Sequence, residues 1–227
     1  MLGGFKLRFW KRTVYTGTLA FSLLLTGCVN GESAEQEIFK TLEEVVELEA
    51  SFEEQQEPLL ELEKKESAIY DEILTLGMKE FDQIVKLSQE GLALVEQKEA
   101  AMKSEKESIE AARKQFEEVK TSIESLEDEE LKKEAQALYQ LMEQRYEAYM
   151  TLSNHYMKSM EVEKEMYELF QTEDLTLEQL QVQINDLNEK YEKINEANQS
   201  FNEYTDQYNK AKLDFYKKAG LNVSYDN

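Results

Sequence analysis

The chain has 227 residues and a formal net charge of −22, with 33% charged residues, one proline, eight glycines and one cysteine. So few turn residues, with no strand-type alternation, indicate long solvated helices. The negative charge argues against nucleic acid as a partner, because an acidic surface repels phosphates. A single cysteine excludes a disulfide framework within the chain.

Residues 1–27 have the layout of a secretory signal peptide. Four basic residues and no acidic one lie in this segment, and its uncharged, largely apolar core at 13–25 is too short to span a bilayer comfortably. The segment ends in Leu25-Thr26-Gly27-Cys28, which resembles the lipobox of bacterial lipoproteins. That resemblance implies cleavage before Cys28, a diacylglyceryl group on its sulfur, and a short tether at 28–32. Cleavage would change the net charge from −22 to −26, because four basic residues are lost.

The first helix of the remaining chain begins at Ser33, which forms a capping-box pattern with Gln36. Pro58 predicts a break or kink near Glu57, because proline lacks the backbone donor and clashes with the preceding turn. The apolar pattern then resumes and stops at Gly77.

The second predicted helix runs from about residue 78 to 125, with apolar residues every seven positions. The companion column is interrupted by Gly91, Lys98 and Glu105, which predicts a thinly packed section there. A third helix begins at the acidic cluster 127–130, where acids complement the positive helix start, and ends near residue 171. A calcium site in this cluster is disfavoured, because no loop with alternating ligands is present.

The fourth helix is predicted from Leu175 to Ala219. Thr176 and Gln179 form a second capping-box pattern, and Gly220 stands where a left-handed cap residue is expected. Two columns repeat every seven residues, one apolar throughout and one that turns polar at its fourth member: Leu180, Leu187, Ile194, Phe201, Tyr208, Phe215; and Leu177, Ile184, Tyr191, Asn198, Thr205, Lys212, Ala219.

These elements predict an all-α fold, an elongated antiparallel bundle of long amphipathic helices with coiled-coil-like packing. We assign residues 33–220 to one domain and 221–227 to a C-terminal tail. A turn centred near residue 173 would place Lys212 opposite Glu134.

Residues suited to catalysis are scarce in this sequence. It has one histidine, His155, which we interpret as structural, and no glycine-rich phosphate loop or serine elbow motif. We therefore expect no enzyme activity, no cofactor and no metal site. A hydrolase or metalloenzyme is the disfavoured alternative.

The aromatic residues are unevenly distributed, because ten of the twelve tyrosines lie from Tyr139 onward. Tyrosine has a flat apolar face and a polar tip, which suits sugar rings and peptides as well as bundle packing. Packing and a binding groove both remain open. The groove would lie where the fourth helix turns polar, and its candidate residues are Arg145, Tyr149, Asn198, Phe201, Thr205 and Tyr208.

Two segments, together with the lipobox, resemble the YkyA-like family of cell-wall binding lipoproteins from Bacillus-type Gram-positive bacteria. They are Gln144-Arg145-Tyr146-Glu147-Ala148-Tyr149 and Phe201-Asn202-Glu203-Tyr204-Thr205-Asp206-Gln207-Tyr208-Asn209-Lys210, followed by Phe215-Tyr216. The resemblance implies a helical lipoprotein on the outer face of the cytoplasmic membrane, attached through Cys28, that binds a cell-wall polymer or an envelope protein. The alternative is a structural spacer or coiled-coil assembly protein at the membrane surface.

Overall fold

The computed structural model describes residues 33–221, and every regular element in this range is helical, which confirms the all-α class. The signal peptide, Cys28, the tether and residues 222–227 lie outside the described residues. No helix within 33–221 has both the length and the apolar character needed to cross a bilayer. The helices are α1 Ala34–Leu48, α2 Ala50–Glu54, α3 Gln56–Thr75, α4 Phe81–Phe116, α5 Val119–Glu124, α6 Glu129–Phe170 and α7 Leu177–Lys218, with a short 3₁₀ helix at Met78–Glu80.

The predicted capping residues occupy their expected places. At the start of α1, Ser33 and Gln36 satisfy each other's backbone N–H groups through their side chains. Thr176 and Gln179 do the same before α7. At the other end of α7, Gly220 has a φ of 68°, and the N–H of Leu221 donates to the carbonyl of Tyr216. Side-chain caps and a left-handed glycine thus define helix ends that the sequence already showed.

The first predicted helix is interrupted twice, and the second interruption falls two residues before Glu57, near the break that Pro58 predicts. One lies at Glu49 and the other at Gln55, and Pro58 sits within the first turn of α3. Proline is tolerated in the first turn because the backbone donors there have no intrahelical acceptor. At the first interruption, the Ser108 hydroxyl of α4 donates to the carbonyl of Leu48 at 2.6 Å.

The second predicted helix is also shorter than expected. It begins with the 3₁₀ helix, and α4 ends at Phe116, with two residues between it and the start of α5. The third and fourth helices keep the lengths that the heptad pattern predicts, because α6 and α7 each have 42 residues.

The described residues divide into two compact units. The first unit contains Glu54–Ser104 and Met150–Asn198, and the second contains residues 33–53, Glu105–Tyr149 and residues 199–221. Each unit therefore takes a part of α4, α6 and α7. The core of each unit is formed by residues that these long helices bury at heptad spacing, together with buried residues of the shorter helices.

Antiparallel packing is visible in both units. In the first unit, Lys98 of α4 pairs with Glu163 of α6, while Gly91, earlier on α4, contacts Tyr167, later on α6. In the second unit, Glu105 of α4 accepts from Tyr149 of α6, while Phe116, later on α4, stacks on Tyr139, earlier on α6.

The predicted pairing of Lys212 with Glu134 is not what the structure shows. In the second unit, Lys212 forms an ion pair with Glu43 of α1 at 3.2 Å, and Glu134 pairs with Lys218. Heptad columns do not determine which of several acids on neighbouring helices pairs with Lys212, so its partner on α1 could not be predicted from the pattern of α6 and α7 alone.

Candidate functional site

Five of the six residues predicted to form a groove come together in the second unit. Arg145, Tyr149, Phe201, Thr205 and Tyr208 are all buried there. The sixth, Asn198, is buried in the first unit. The five residues form a packed polar and aromatic cluster, so a ligand reaches them only if the helices of this unit move apart.

Arg145 lies at the centre of this cluster. Its two terminal nitrogens bind both carboxylate oxygens of Glu49, at 2.7 and 2.8 Å, and its Nε donates to the hydroxyl of Thr205 at 3.1 Å. The guanidinium also lies 5.1 Å from the ring centre of Phe201. Burial lowers the pKa of Arg145, but Glu49 outweighs that effect and raises it. A bidentate pair of this kind fixes geometry as well as charge, and its acid comes from the interruption between α1 and α2.

Three aromatic rings pack beside the guanidinium. Phe52 of α2 makes edge contacts with Tyr149 and Phe201, with ring centres 5.5 and 5.9 Å apart, and the latter two are 5.7 Å apart. The hydroxyl of Tyr149 donates to Glu105 at 3.4 Å. The three rings are therefore buried against one another, and the hydroxyl of Tyr149 is bonded within the unit.

A second ionic group in the same unit is formed by Lys212, Glu43 and Tyr216. Glu43 accepts from the ammonium of Lys212 at 3.2 Å and from the Tyr216 hydroxyl at 3.0 Å. Burial lowers the pKa of Lys212 despite the nearby carboxylate, and burial raises the pKa of Tyr216. Lys212, in the polar half of the α7 heptad column, is thus matched by an acid from α1.

The late tyrosines are mostly core residues. Among the nine that the structure describes, Tyr139 and Tyr204 are half-buried and the other seven are buried: Tyr146, Tyr149, Tyr156, Tyr167, Tyr191, Tyr208 and Tyr216. The surface of the described chain therefore presents no row of tyrosine faces, which favours bundle packing over a preformed aromatic groove.

The first unit also contains a buried ionic cluster that the sequence analysis did not predict. The Lys98 ammonium of α4 lies 2.5 Å from Glu66 of α3 and 2.6 Å from Glu163 of α6, and all three side chains are about 2% exposed or less. Tyr191 of α7 donates to Glu163 at 2.7 Å. Burial, and then repulsion by Glu163, raise the pKa of Glu66 to about 8.

The signal for this cluster was the interrupted column of α4. Gly91, Lys98 and Glu105, which we expected to be thinly packed, are all buried. The ring of Tyr167 lies against Gly91, and the ammonium of Lys98 pairs with two carboxylates. The hydroxyl of Tyr149 donates to Glu105. Three gaps in an apolar column therefore marked three specific contacts with neighbouring helices.

The acidic cluster 127–130 acts as a helix start. Both Glu130 and Leu131 donate their backbone N–H to a carboxylate oxygen of Asp128, at 2.9 and 3.0 Å. That is the geometry of an N-cap. The single histidine, His155, is half-buried elsewhere on α6. The candidate lipidation residue, Cys28, lies outside the described residues.

Comparisons with known proteins agree over nearly the whole described chain. A family model described as "Putative cell-wall binding lipoprotein" matches residues 33–218. The uncharacterized lipoprotein YkyA of Bacillus subtilis (strain 168) is 39% identical over 204 residues, which cover 90% of this chain and 91% of the relative. The crystal structure of a conserved Staphylococcus aureus protein of unknown function has a TM-score of 0.62 at 15% identity, with 82% of this chain and 97% of that one covered, and supports the fold alone. The chain belongs to the YkyA family of lipoproteins.

Proposed function

We propose that this protein is a lipid-anchored, non-enzymatic component of the cell envelope whose helical units bind a wall polymer or an envelope protein. The observation that carries the proposal is the position of Cys28. It ends a signal-like segment, and the lipoprotein family match begins five residues later, at Ser33. A diacylglyceryl group on that thiol brings two acyl chains, which hold a protein to a bilayer where a single chain binds only marginally.

The charge of the mature chain fits an anchor of this kind. The four basic residues of the signal segment are the ones that would attract anionic lipid, and they are removed, leaving −26 instead of −22. A surface that acidic is repelled by anionic headgroups. Membrane attachment then depends on the acyl chains and not on the helices.

The anchor is tested by feeding cells an alkyne-tagged fatty acid and measuring its incorporation into the protein. We expect label on the wild type and on Asn30→Ser, a matched control in the tether, and none on Cys28→Ser. Mass spectrometry of the N-terminal peptide should show a diacylglyceryl adduct on Cys28. Label that persists in Cys28→Ser, or its absence from the wild type, contradicts the anchor.

Wall binding is tested by co-sedimentation of the purified mature chain with insoluble peptidoglycan. Because teichoic acid and this protein are both anionic, we expect more retention on peptidoglycan stripped of teichoic acid than on intact wall, with the difference shrinking at high salt. Absence of retention on both materials would leave only a protein partner.

The alternative, a structural spacer or coiled-coil assembly protein, is favoured by one observation. Seven of the nine described late tyrosines are buried within the units, so the aromatic residues serve packing. A spacer would retain no wall material and would keep its cellular role when exposed residues are changed. Concentration-dependent sedimentation of the mature chain distinguishes the assembly version from a monomeric spacer.

A further inference from the structure

The first unit contains an apolar cavity of about 600 Å³ between two of its turns. One turn joins α3 to α4 and the other joins α6 to α7. This volume lies within the range of ligand sites, ~300–1,000 Å³. The lining includes Ile73, Ile84, Phe170, Leu175, Leu177 and Leu180.

Polar groups of both turns are engaged within their own turn. The Thr75 hydroxyl donates to the carbonyl of Glu72, and the Gly77 N–H donates to the carboxylate of Glu80. In the other turn, the Thr176 hydroxyl takes part in the capping box of α7. The inner wall is therefore mainly apolar, and an occupant gains free energy there by removing apolar surface from water.

The cavity opens to solvent beside Leu177. This side chain lines the cavity and is also 62% exposed, although the heptad pattern assigned it to the seam. Val182, further along α7, is equally exposed and does not line the cavity. Because Leu177 is continuous with the cavity lining, it extends the apolar surface that a partner can cover.

The two stretches that bear the cavity are acidic. Residues 72–82 and 172–180 hold six acids and one base, and all seven side chains are exposed: Glu72, Glu80, Asp82, Glu173, Asp174, Glu178 and Lys79. A partner that inserts apolar side chains here meets negative charge around the opening. Electrostatic complementarity then selects a basic partner and disfavours an anionic lipid.

We propose that this cavity binds the apolar face of a basic amphipathic helix belonging to another protein. The helix inserts leucine-like side chains beside Leu177, while its lysines or arginines face the acidic turns, a helix-in-groove mode of recognition. The inference rests on the proposed function only for where the partner is found. Binding at the cavity itself is a property of the purified protein.

The probe is a synthetic helix-forming peptide of leucine and lysine at i, i+3 and i+4 spacing, and the readout is its dissociation constant with the mature chain by fluorescence anisotropy. We expect Leu177→Glu to weaken binding about tenfold, equivalent to ~1.4 kcal/mol. Val182→Glu should leave it unchanged. Both variants add the same charge at equally exposed positions on one helix, so non-specific attraction of a basic peptide would rise equally in both.

A second pair of variants tests the acidic turns. Changing Glu173 and Asp174 together to lysine should weaken binding about fivefold at low salt. The matched change of Glu192 and Glu196, exposed acids elsewhere on α7, should have a smaller effect. Circular dichroism checks that every variant stays helical.

Three outcomes overturn the proposal. Equal affinities for Leu177→Glu and Val182→Glu would show that the peptide binds surface charge only. A neutral apolar dye that binds the cavity and is not displaced by the peptide would identify a lipid-like occupant. Self-association that is lost in Leu177→Glu would identify a second copy of the chain as the occupant. If the protein fails to bind wall material but the peptide binds as expected, wall binding is contradicted and the assignment of the cavity is still supported.

Discussion

Glu66 makes the stability of this protein depend on pH in a direction that can be predicted. Its carboxyl is 1% exposed and pairs with Lys98, which also pairs with Glu163. Two acids thus share one base in the interior of the first unit. The groups that act on Glu66 come from all the neighbouring helices as well as its own: Glu63, Lys98, Glu163, Tyr167 and Tyr191.

The size of this pH dependence follows from the pKa of Glu66, which burial raises from 4.5 to about 8. The folded protein therefore keeps a proton on this carboxyl up to about pH 8, whereas the unfolded chain releases it near pH 4.5. Folding takes up a proton between these values, so the free energy of unfolding falls as pH rises, by at most ~1.36 kcal/mol per pH unit. Between pH 5.5 and 8 the loss is about 3 kcal/mol.

The perturbation is Glu66→Gln, because the amide has nearly the same shape as the protonated carboxyl and cannot ionise. We expect the variant to match the wild type at pH 5.5 and to be more stable by about 3 kcal/mol at pH 8. Urea unfolding followed by circular dichroism across this range measures both curves. Groups that do not interact with Glu66 titrate alike in both proteins and cancel in the difference.

Glu192→Gln, an exposed control on α7, should give a curve parallel to the wild type. A Glu66→Gln curve that is also parallel to the wild type would contradict the raised pKa of Glu66, since the folded protein would then hold no extra proton on this carboxyl. A variant that is less stable than the wild type throughout the range would refute it equally.

Four further substitutions test the packing, the buried hydroxyl groups and a helix cap. Gly91→Ala should destabilise the protein by about 1–3 kcal/mol in thermal unfolding, although alanine favours helices, because the added Cβ would lie 2.4 Å from the ring of Tyr167; no loss would mean that the ring moves aside. Tyr208→Phe should be neutral or stabilising, since this buried hydroxyl has no hydrogen-bond partner among the described residues. Tyr191→Phe should cost about 1–2 kcal/mol in the same urea assay because its hydroxyl is bonded, and equal effects would contradict this contrast. Asp128→Ala should cost ~1 kcal/mol by removing an N-cap, and an unchanged midpoint would show that the cap contributes nothing.

The sequence was sufficient for the local features of the fold. Helix starts at Ser33 and Thr176 and the glycine cap at Gly220 depend on contacts within a few residues, so their patterns could be recognised directly. The lengths of α6 and α7 were predictable for a similar reason, because a heptad repeat records which face of a helix is buried. The lipobox ending at Cys28 is likewise a contiguous motif, although its lipidation stays a prediction.

The candidate site was predictable only in part. Arg145, Phe201 and Thr205 were correctly brought together, because their helices are joined by a short turn. The acid that pairs with Arg145 was not predicted, because Glu49 lies almost a hundred residues away and becomes available through an interruption that no proline marks.

Sequence alone thus determined that this protein is helical, where most of its long helices begin and end, and which columns face inward. Only the folded structure shows which residues of different helices pair. Lys212 met Glu43 instead of Glu134, and Lys98 was buried between two acids instead of marking a weak section. The physical reason is that periodicity and capping are short-range properties of one segment. Ion pairing and the fit of a ring against a glycine depend on which of several equivalent heptad registers packs best across helices distant in sequence.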